Sequence, residues 1–206
     1  MPPPLFVKIC GITRLQDAQL ALELGATALG FIFWPRSPRY IAPEQARAIV
    51  RQLPATVSKV GVFVDEPIEL VTQMLDFVGL GMAQLHGAES PEYCRQLGQT
   101  RTIKALAMKN GASPKVGDFD EDILIMLDAH DPARHGGTGR TVDWNAARQI
   151  AGARKTILSG GLNPANVRAA IDSVQPYGVD ASSGVESAPG VKDAVRLKSF
   201  FEALNG

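Results

Sequence analysis

Cysteine is scarce in this chain, charge is balanced and long apolar runs are missing, and each shortage removes a class of function. Only Cys10 and Cys94 occur among 206 residues. Two distant cysteines have no metal-ligand spacing and cannot build a disulfide framework, so a zinc ribbon and a stapled secreted domain are set aside and a reducing cytoplasm is expected. Lysine plus arginine equals aspartate plus glutamate at 21 each. A neutral chain has no whole-protein attraction for nucleic acid or an anionic membrane, so any anionic ligand needs a local site. No apolar run approaches the roughly 18 residues that span a bilayer. The opening Met1-Pro2-Pro3-Pro4-Leu5-Phe6 lacks the charged and apolar regions of a secretory signal. What is present is ordinary for a globular protein, 45% hydrophobic and 20% charged, which excludes a disordered chain.

Short β-rich apolar runs alternate with segments of helical period. Strands are expected at Leu5–Cys10, Ala28–Phe33, Val57–Val64, Met82–His86, Thr102–Met108, Ile123–Asp128, Thr156–Ser159 and Tyr177–Ala181. Helices are expected over Thr13–Gly25, Pro43–Leu53, Pro67–Phe77, Pro91–Leu97, Trp144–Ala151, Pro164–Val174 and Val191–Leu204, with Ser90 and Asn163 as N-caps. Between strands five and six, Gly111, Pro114 and Gly117 break the pattern, so the fifth helix is weak or absent. Successive strand ends fall 20 to 31 residues apart, the length that strand, loop, helix and loop require. Near-continuous Val/Ile/Leu strands belong to a sheet buried on both faces. Eight such units with no Pro- or Ser-rich linker predict an α/β fold, one (β/α)8 TIM barrel occupying residues 1–206 as a single domain.

Barrel enzymes carry their chemistry at the C-terminal ends of the strands, and the unusual residues of this chain fall there. Cys10 ends strand one; Trp34-Pro35-Arg36-Ser37-Pro38-Arg39-Tyr40 follows strand two; Gln84-Leu85-His86-Gly87 ends strand four; Asp128 ends strand six. Ser159-Gly160-Gly161-Leu162-Asn163-Pro164 follows strand seven, and Asp180 with Ser182-Ser183-Gly184-Val185-Glu186 ends strand eight. Each has an ordinary structural explanation: a buried thiol, a capping aspartate, a histidine on a carbonyl, a solvated basic loop, a tight glycine turn. Independent explanations of that kind would not all converge on one rim. Gly136-Gly137-Thr138-Gly139-Arg140-Thr141 lacks the earlier glycine of a Walker A loop and is rejected as one.

Glycines after strand seven let backbone N–H groups approach a ligand, a helix N-terminus near Asn163 adds partial positive charge, and Ser183-Gly184 offers more small donors beside them. A short extra helix fits between Gly184 and Pro189, so a phosphorylated small molecule is the expected substrate. Lys8 and Cys10 share a strand face, and the ammonium is expected to lower the thiol pKa. Asp128 leaves an apolar strand, with Asp180 as a possible like-charged neighbour, and both factors are expected to raise its pKa. A thiolate base and a carboxylic acid across one pocket suit isomerisation by proton transfer, with no metal or cofactor required.

Lys8-Ile9-Cys10-Gly11-Ile12-Thr13, Pro38-Arg39-Tyr40-Ile41, Val60-Gly61-Val62-Phe63-Val64, Gln84-Leu85-His86-Gly87, Leu127-Asp128, Gly136-Gly137-Thr138-Gly139, Ser159-Gly160-Gly161-Leu162-Asn163-Pro164 and Val179-Asp180-Ala181-Ser182-Ser183-Gly184-Val185-Glu186 occur in that order. Over essentially its whole length the chain resembles the phosphoribosylanthranilate isomerases of tryptophan biosynthesis. The resemblance implies an Amadori rearrangement of N-(5-phosphoribosyl)anthranilate. Asp128 would match the general acid that protonates the ring oxygen, Cys10 the base that takes the proton from ribose C2, and Arg39 the residue that meets the anthranilate carboxylate. His86 and Asp180 would line the pocket, while Gly160, Gly161, Ser183 and Gly184 would hold the phosphate. The related isomerase of histidine biosynthesis would be expected to carry an aspartate in place of Cys10. A metal-dependent epimerase would need more strand-end ligands than His86, since His130 and His135 lie in a loop. A non-catalytic barrel binding a phosphorylated metabolite is the remaining alternative, disfavoured by the pairing of Cys10 and Asp128 with the phosphate motif. A closed barrel of this size is expected to stand as a monomer or a homodimer.

Overall fold

The structure, a computed structural model, describes residues 5–98, 101–108, 114–129 and 143–206. Eight parallel strands close on themselves in chain order: β1 (Phe6–Cys10), β2 (Ala28–Ile32), β3 (Ser58–Phe63), β4 (Met82–Leu85), β5 (Thr102–Met108), β6 (Leu124–Ala129), β7 (Thr156–Leu158) and β8 (Gly178–Ala181), with β8 pairing back to β1. Closure is what makes residues far apart in sequence neighbours. Lys8 stands in register with Asp180 on one side and with Ala28 on the other.

Strand alternation divides the side chains into two apolar regions. Outward residues such as Ile9, Leu29, Leu127 and Val179 pack with the helices in one large core. Inward residues form a second, smaller cluster of Ala28, Val60, Ile103, Ala105, Met126 and Ile157 inside the barrel. Two residues further along the same faces the inward positions turn polar: Gln84 after Met82, Asp128 after Met126, Ser159 after Ile157 and Asp180 after Gly178. Period-two alternation therefore stacks an apolar floor beneath a polar upper layer.

The helices are α1 (Leu15–Glu23), α2 (Pro43–Val50), α3 (Ile68–Val78), α4 (Pro91–Leu97), α5 (Trp144–Ala153), α6 (Val167–Val174) and α7 (Ala194–Asn205). Pro43 and Pro91 begin their helices, where a missing N–H costs no hydrogen bond, and Ser90 caps α4 by accepting from the Tyr93 amide at 3.1 Å. Between β5 and β6 the described residues hold only a single 3-10 turn, Val116–Asp118. Arg154 braces that connection from the end of α5, donating to the carbonyls of Val116, Phe119, Asp120 and Ile123 at 2.6–3.0 Å.

Three expectations need correction. Helix α6 starts at Val167, three residues after the expected Pro164, because Asn163 closes a separate turn by accepting from the Ala165 amide at 2.9 Å. The extra helix expected between Gly184 and Pro189 is replaced by a 3-10 turn, Ser183–Val185, and an antiparallel hairpin of β9 (Glu186–Ala188) and β10 (Val191–Lys192). That hairpin uses Val191 and Lys192, so α7 begins later, at Ala194, with Asp193 accepting from the Arg196 amide as its cap. The Gly136–Thr141 loop, His130 and His135 lie outside the described residues.

Candidate active site

The polar upper layer opens into a cavity of about 420 Å³ at the C-terminal ends of the strands. Cys10, Arg39, His86, Asp128, Asp180, Gly160, Gly161 and Ser183 all line it. Gly184 does not line it. A Cβ there would overlap the Leu162 carbonyl oxygen, so this glycine is required by the close approach of the turns after β7 and β8.

Cys10 and Lys8 sit on the inward face of β1, both buried, and both lean over Gly30 of β2: a Cβ at Gly30 would stand 2.7 Å from Cys10 Sγ and 3.0 Å from Lys8 Nζ. Lys8 donates to Asp180 Oδ1 at 2.7 Å, and Asp180 Oδ2 accepts from Ser159 at 3.2 Å. Burial alone would lower the Lys8 pKa, but Asp180 and Cys10 outweigh it and the net direction is upward. For Cys10 the outcome is opposite to expectation. Burial pushes the thiol up, Lys8 pulls it down and Asp180 opposes Lys8, leaving Cys10 above the ordinary cysteine value. The ammonium is present, but its charge is shared with Asp180. Asp180, expected as a like-charged neighbour of Asp128, carries its charge in this pair with Lys8.

On the other side of the cavity, Gln84 and His86 project from β4 and its end. Gln84 Nε2 lies 2.9 Å from His86 Nδ1, and His86 Nε2 lies 3.2 Å from Asp128 Oδ2. Gln84 was legible as a motif member but not as a partner. Its place two residues before His86, on the same strand face, was the available signal.

The rim of β7 and β8 has the backbone of an anion site. Gly160 and Gly161 take φ values of 87° and 72°, a left-handed region that favours glycine. Asn163 and Asn166 both donate to the Gly161 carbonyl, at 3.1 and 3.0 Å, and fix the turn. The amides of Gly160, Gly161, Ser183 and Gly184 donate to no described group. Unpaired backbone donors at a cavity wall are a ready site for a phosphate. Arg39, from the loop after β2, is held in a fork by Glu186 of β9. Arg36 lies over the Trp34 ring at 5.3 Å from its centroid.

Among the described residues no group of three or more His, Cys, Asp or Glu side chains could hold a metal ion, and no helix is long and apolar enough to cross a membrane. Fold and site together define a TIM-barrel enzyme: a buried thiol, a carboxyl group, a guanidinium and a glycine- and serine-bearing rim line one cavity at the strand ends. Comparison with known proteins agrees. The family model described as N-(5'phosphoribosyl)anthranilate (PRA) isomerase matches residues 7–203. The chain belongs to that family. N-(5'-phosphoribosyl)anthranilate isomerase of Pelobacter propionicus is 48% identical, the match covering 94% of this chain and 92% of that protein. The crystal structure of phosphoribosyl anthranilate isomerase from Thermus thermophilus superposes with a TM-score of 0.88 at 43% identity, covering 98% of each chain. A further phosphoribosyl anthranilate isomerase, solved in complex with reduced 1-(o-carboxyphenylamino)-1-deoxyribulose 5-phosphate, superposes at 0.84 with 41% identity, covering 98% of this chain and 100% of that one.

Proposed function

We propose that the chain catalyses the Amadori rearrangement of N-(5'-phosphoribosyl)anthranilate to 1-(2-carboxyphenylamino)-1-deoxyribulose 5-phosphate, the third step from chorismate to tryptophan. The observation that carries this reading is the sharing of one cavity by Cys10, Asp128 and the unpaired glycine and serine amides. Asp128 delivers a proton to the furanose ring oxygen as the C1–O bond breaks and the nitrogen lone pair forms a protonated Schiff base. The Cys10 thiolate then takes the C2 proton, and the electron pair forms the C1=C2 bond of an enolamine. C1 gains a proton from the thiol and the C2 hydroxyl returns one to Asp128, which restores both groups and leaves the reaction redox-neutral.

A thiol with a raised pKa suits a base that ionises late. Ring opening creates a cation beside it, and that charge joins Lys8 in favouring the thiolate. Arg39 receives the anthranilate carboxylate; its Nη1 is the guanidinium nitrogen that Glu186 leaves unengaged. The phosphate rests on Gly160, Gly161 and Ser183, with Gly184 supporting the turn, and His86 and Asp180 line the pocket. The proposed setting is the cytoplasm, the partner a small phosphorylated molecule rather than nucleic acid or membrane, and self-association no larger than a homodimer. The test is the loss of phosphoribosylanthranilate fluorescence on adding catalytic amounts of purified protein in the presence of a chelator. Fluorescence decaying no faster than in buffer overturns the reading.

A further inference from the structure

A buried charge cluster stands behind Arg39, and the acid–base scheme leaves it without a task. Arg39 Nε lies 3.0 Å from both oxygens of Glu186, and Nη2 lies 2.8 Å from Oε2. Glu186 Oε1 also accepts from Lys192 Nζ at 2.8 Å and from the Gly190 amide at 3.2 Å. Lys192 Nζ reaches two carbonyls as well, those of Cys10 at 2.5 Å and Ser182 at 3.4 Å. Three acceptors around one nitrogen match an ammonium, which has three N–H bonds and no lone pair. The Glu186 and Lys192 side chains are 4% and 0% exposed, so water screens their charges little. Burial would raise the Glu186 pKa, but Arg39 and Lys192 hold it below the ordinary carboxylate value. Burial likewise draws Lys192 below the ordinary lysine value, and Glu186 pulls it back up.

Glu186 and Lys192 stand opposite each other in the β9–β10 register, so one short hairpin delivers both charges to this wall. A carboxylate forked onto Arg39 fixes the guanidinium but also cancels its charge. A second cation on the same carboxylate removes that cancellation, and the trio carries one positive charge in excess. We propose that Lys192 is a specificity-determining positioning residue: by neutralising Glu186 it leaves Arg39, locked in place by the Glu186 fork, with an uncompensated charge for the substrate carboxylate. The inference rests on the reading of Arg39 as the carboxylate contact.

The test compares affinity for two ligands, the reduced product and its counterpart lacking the ring carboxylate. The wild type should prefer the carboxylated ligand by about ten- to a hundredfold. Lys192→Met should lower that preference about tenfold while leaving affinity for the other ligand within about twofold of wild type. The double variant Glu186→Gln/Lys192→Met removes one charge of each sign, so its preference should return to within about threefold of wild type. Equal weakening of both ligands by Lys192→Met, or an unchanged preference, overturns the proposal. If Lys192→Met does not fold, the double variant decides: a preference lost there refutes the charge assignment, and a preference kept there supports it. Arg39→Ala separates the two readings. A preference intact in Arg39→Ala sinks the carboxylate reading itself, whereas a preference lost there and intact in Lys192→Met sinks only the role of Lys192.

Discussion

Gly30 has no side chain, and that vacancy over β2 is what allows Lys8 and Cys10 to lie together on the inner face of the barrel. Gly30→Ala should push into Cys10 Sγ and Lys8 Nζ, displacing the thiol by some tenths of an ångström. Because small misplacements of a reacting group are costly in rate, kcat should fall by about tenfold or more with thermal stability changed little. Circular dichroism alongside turnover checks this; a variant that loses stability and keeps kcat would show that Gly30 serves packing alone. Cys10→Ala should abolish most turnover while leaving affinity for the reduced product largely intact, since a base acts in the transition state. The thiol pKa lies above its ordinary value, so thiolate is the minority form at neutral pH. The sign is then fixed: kcat/KM should climb with pH through the neutral range as the thiolate fraction grows. A profile already flat below pH 7 would mean that another group is the base.

At the scale of elements, side chains hold the turn after β7 and the described part of the connection from β5 to β6. Gly161→Val would force a β-branched residue into a φ of 72° and place its side chain at the phosphate approach. Substrate KM should rise strongly, and a crystal grown in sulfate should lose the anion that the wild type is expected to hold against the Gly160 and Gly161 amides. A wild-type crystal with that rim empty and sulfate bound on another face would contradict the assignment. Arg154 supplies four hydrogen bonds to the carbonyls around the 3-10 turn that stands between β5 and β6. Arg154→Met removes a charged donor from all four, and urea denaturation should show a loss of about 2 kcal/mol or more, with turnover of the folded fraction unchanged.

For the whole molecule, the balance of 21 basic and 21 acidic residues means that any attraction for an anionic substrate must be local rather than a field of the whole chain. Stability at high pH is a different matter, set in part by a thiol remote from the cavity. Cys94 is buried in α4, and burial lifts its pKa from 9.0 to about 11. The folded state therefore holds this proton more tightly than the unfolded chain does. Its contribution is complete below pH 9 and is lost as pH rises towards 11. The slope of unfolding free energy against pH should be steeper over that interval in the wild type than in Cys94→Ala, whatever the absolute stability of the variant.

The alternation of apolar runs with helical segments, and the spacing of strand ends, was enough to predict eight strands and their order, because period and length are properties of the local chain. Strand parity likewise put Lys8 with Cys10, and the clustering of odd residues at strand ends marked the rim that the cavity occupies. The tertiary structure alone decided how those residues are partnered. Lys8 meets Asp180 and Arg39 meets Glu186 across 172 and 147 positions of sequence, and only closure of β8 onto β1 brings them together. The same closure reversed the expected shift of Cys10, since burial and Asp180 outweigh an ammonium that parity could detect but could not weigh. It also turned the segment after Ser183-Gly184 into a hairpin, in which Glu186 bonds both Lys192 and Arg39 rather than following a helical period. A local pattern fixes which face a side chain takes; the charge it feels is set by whatever the rest of the chain folds against it.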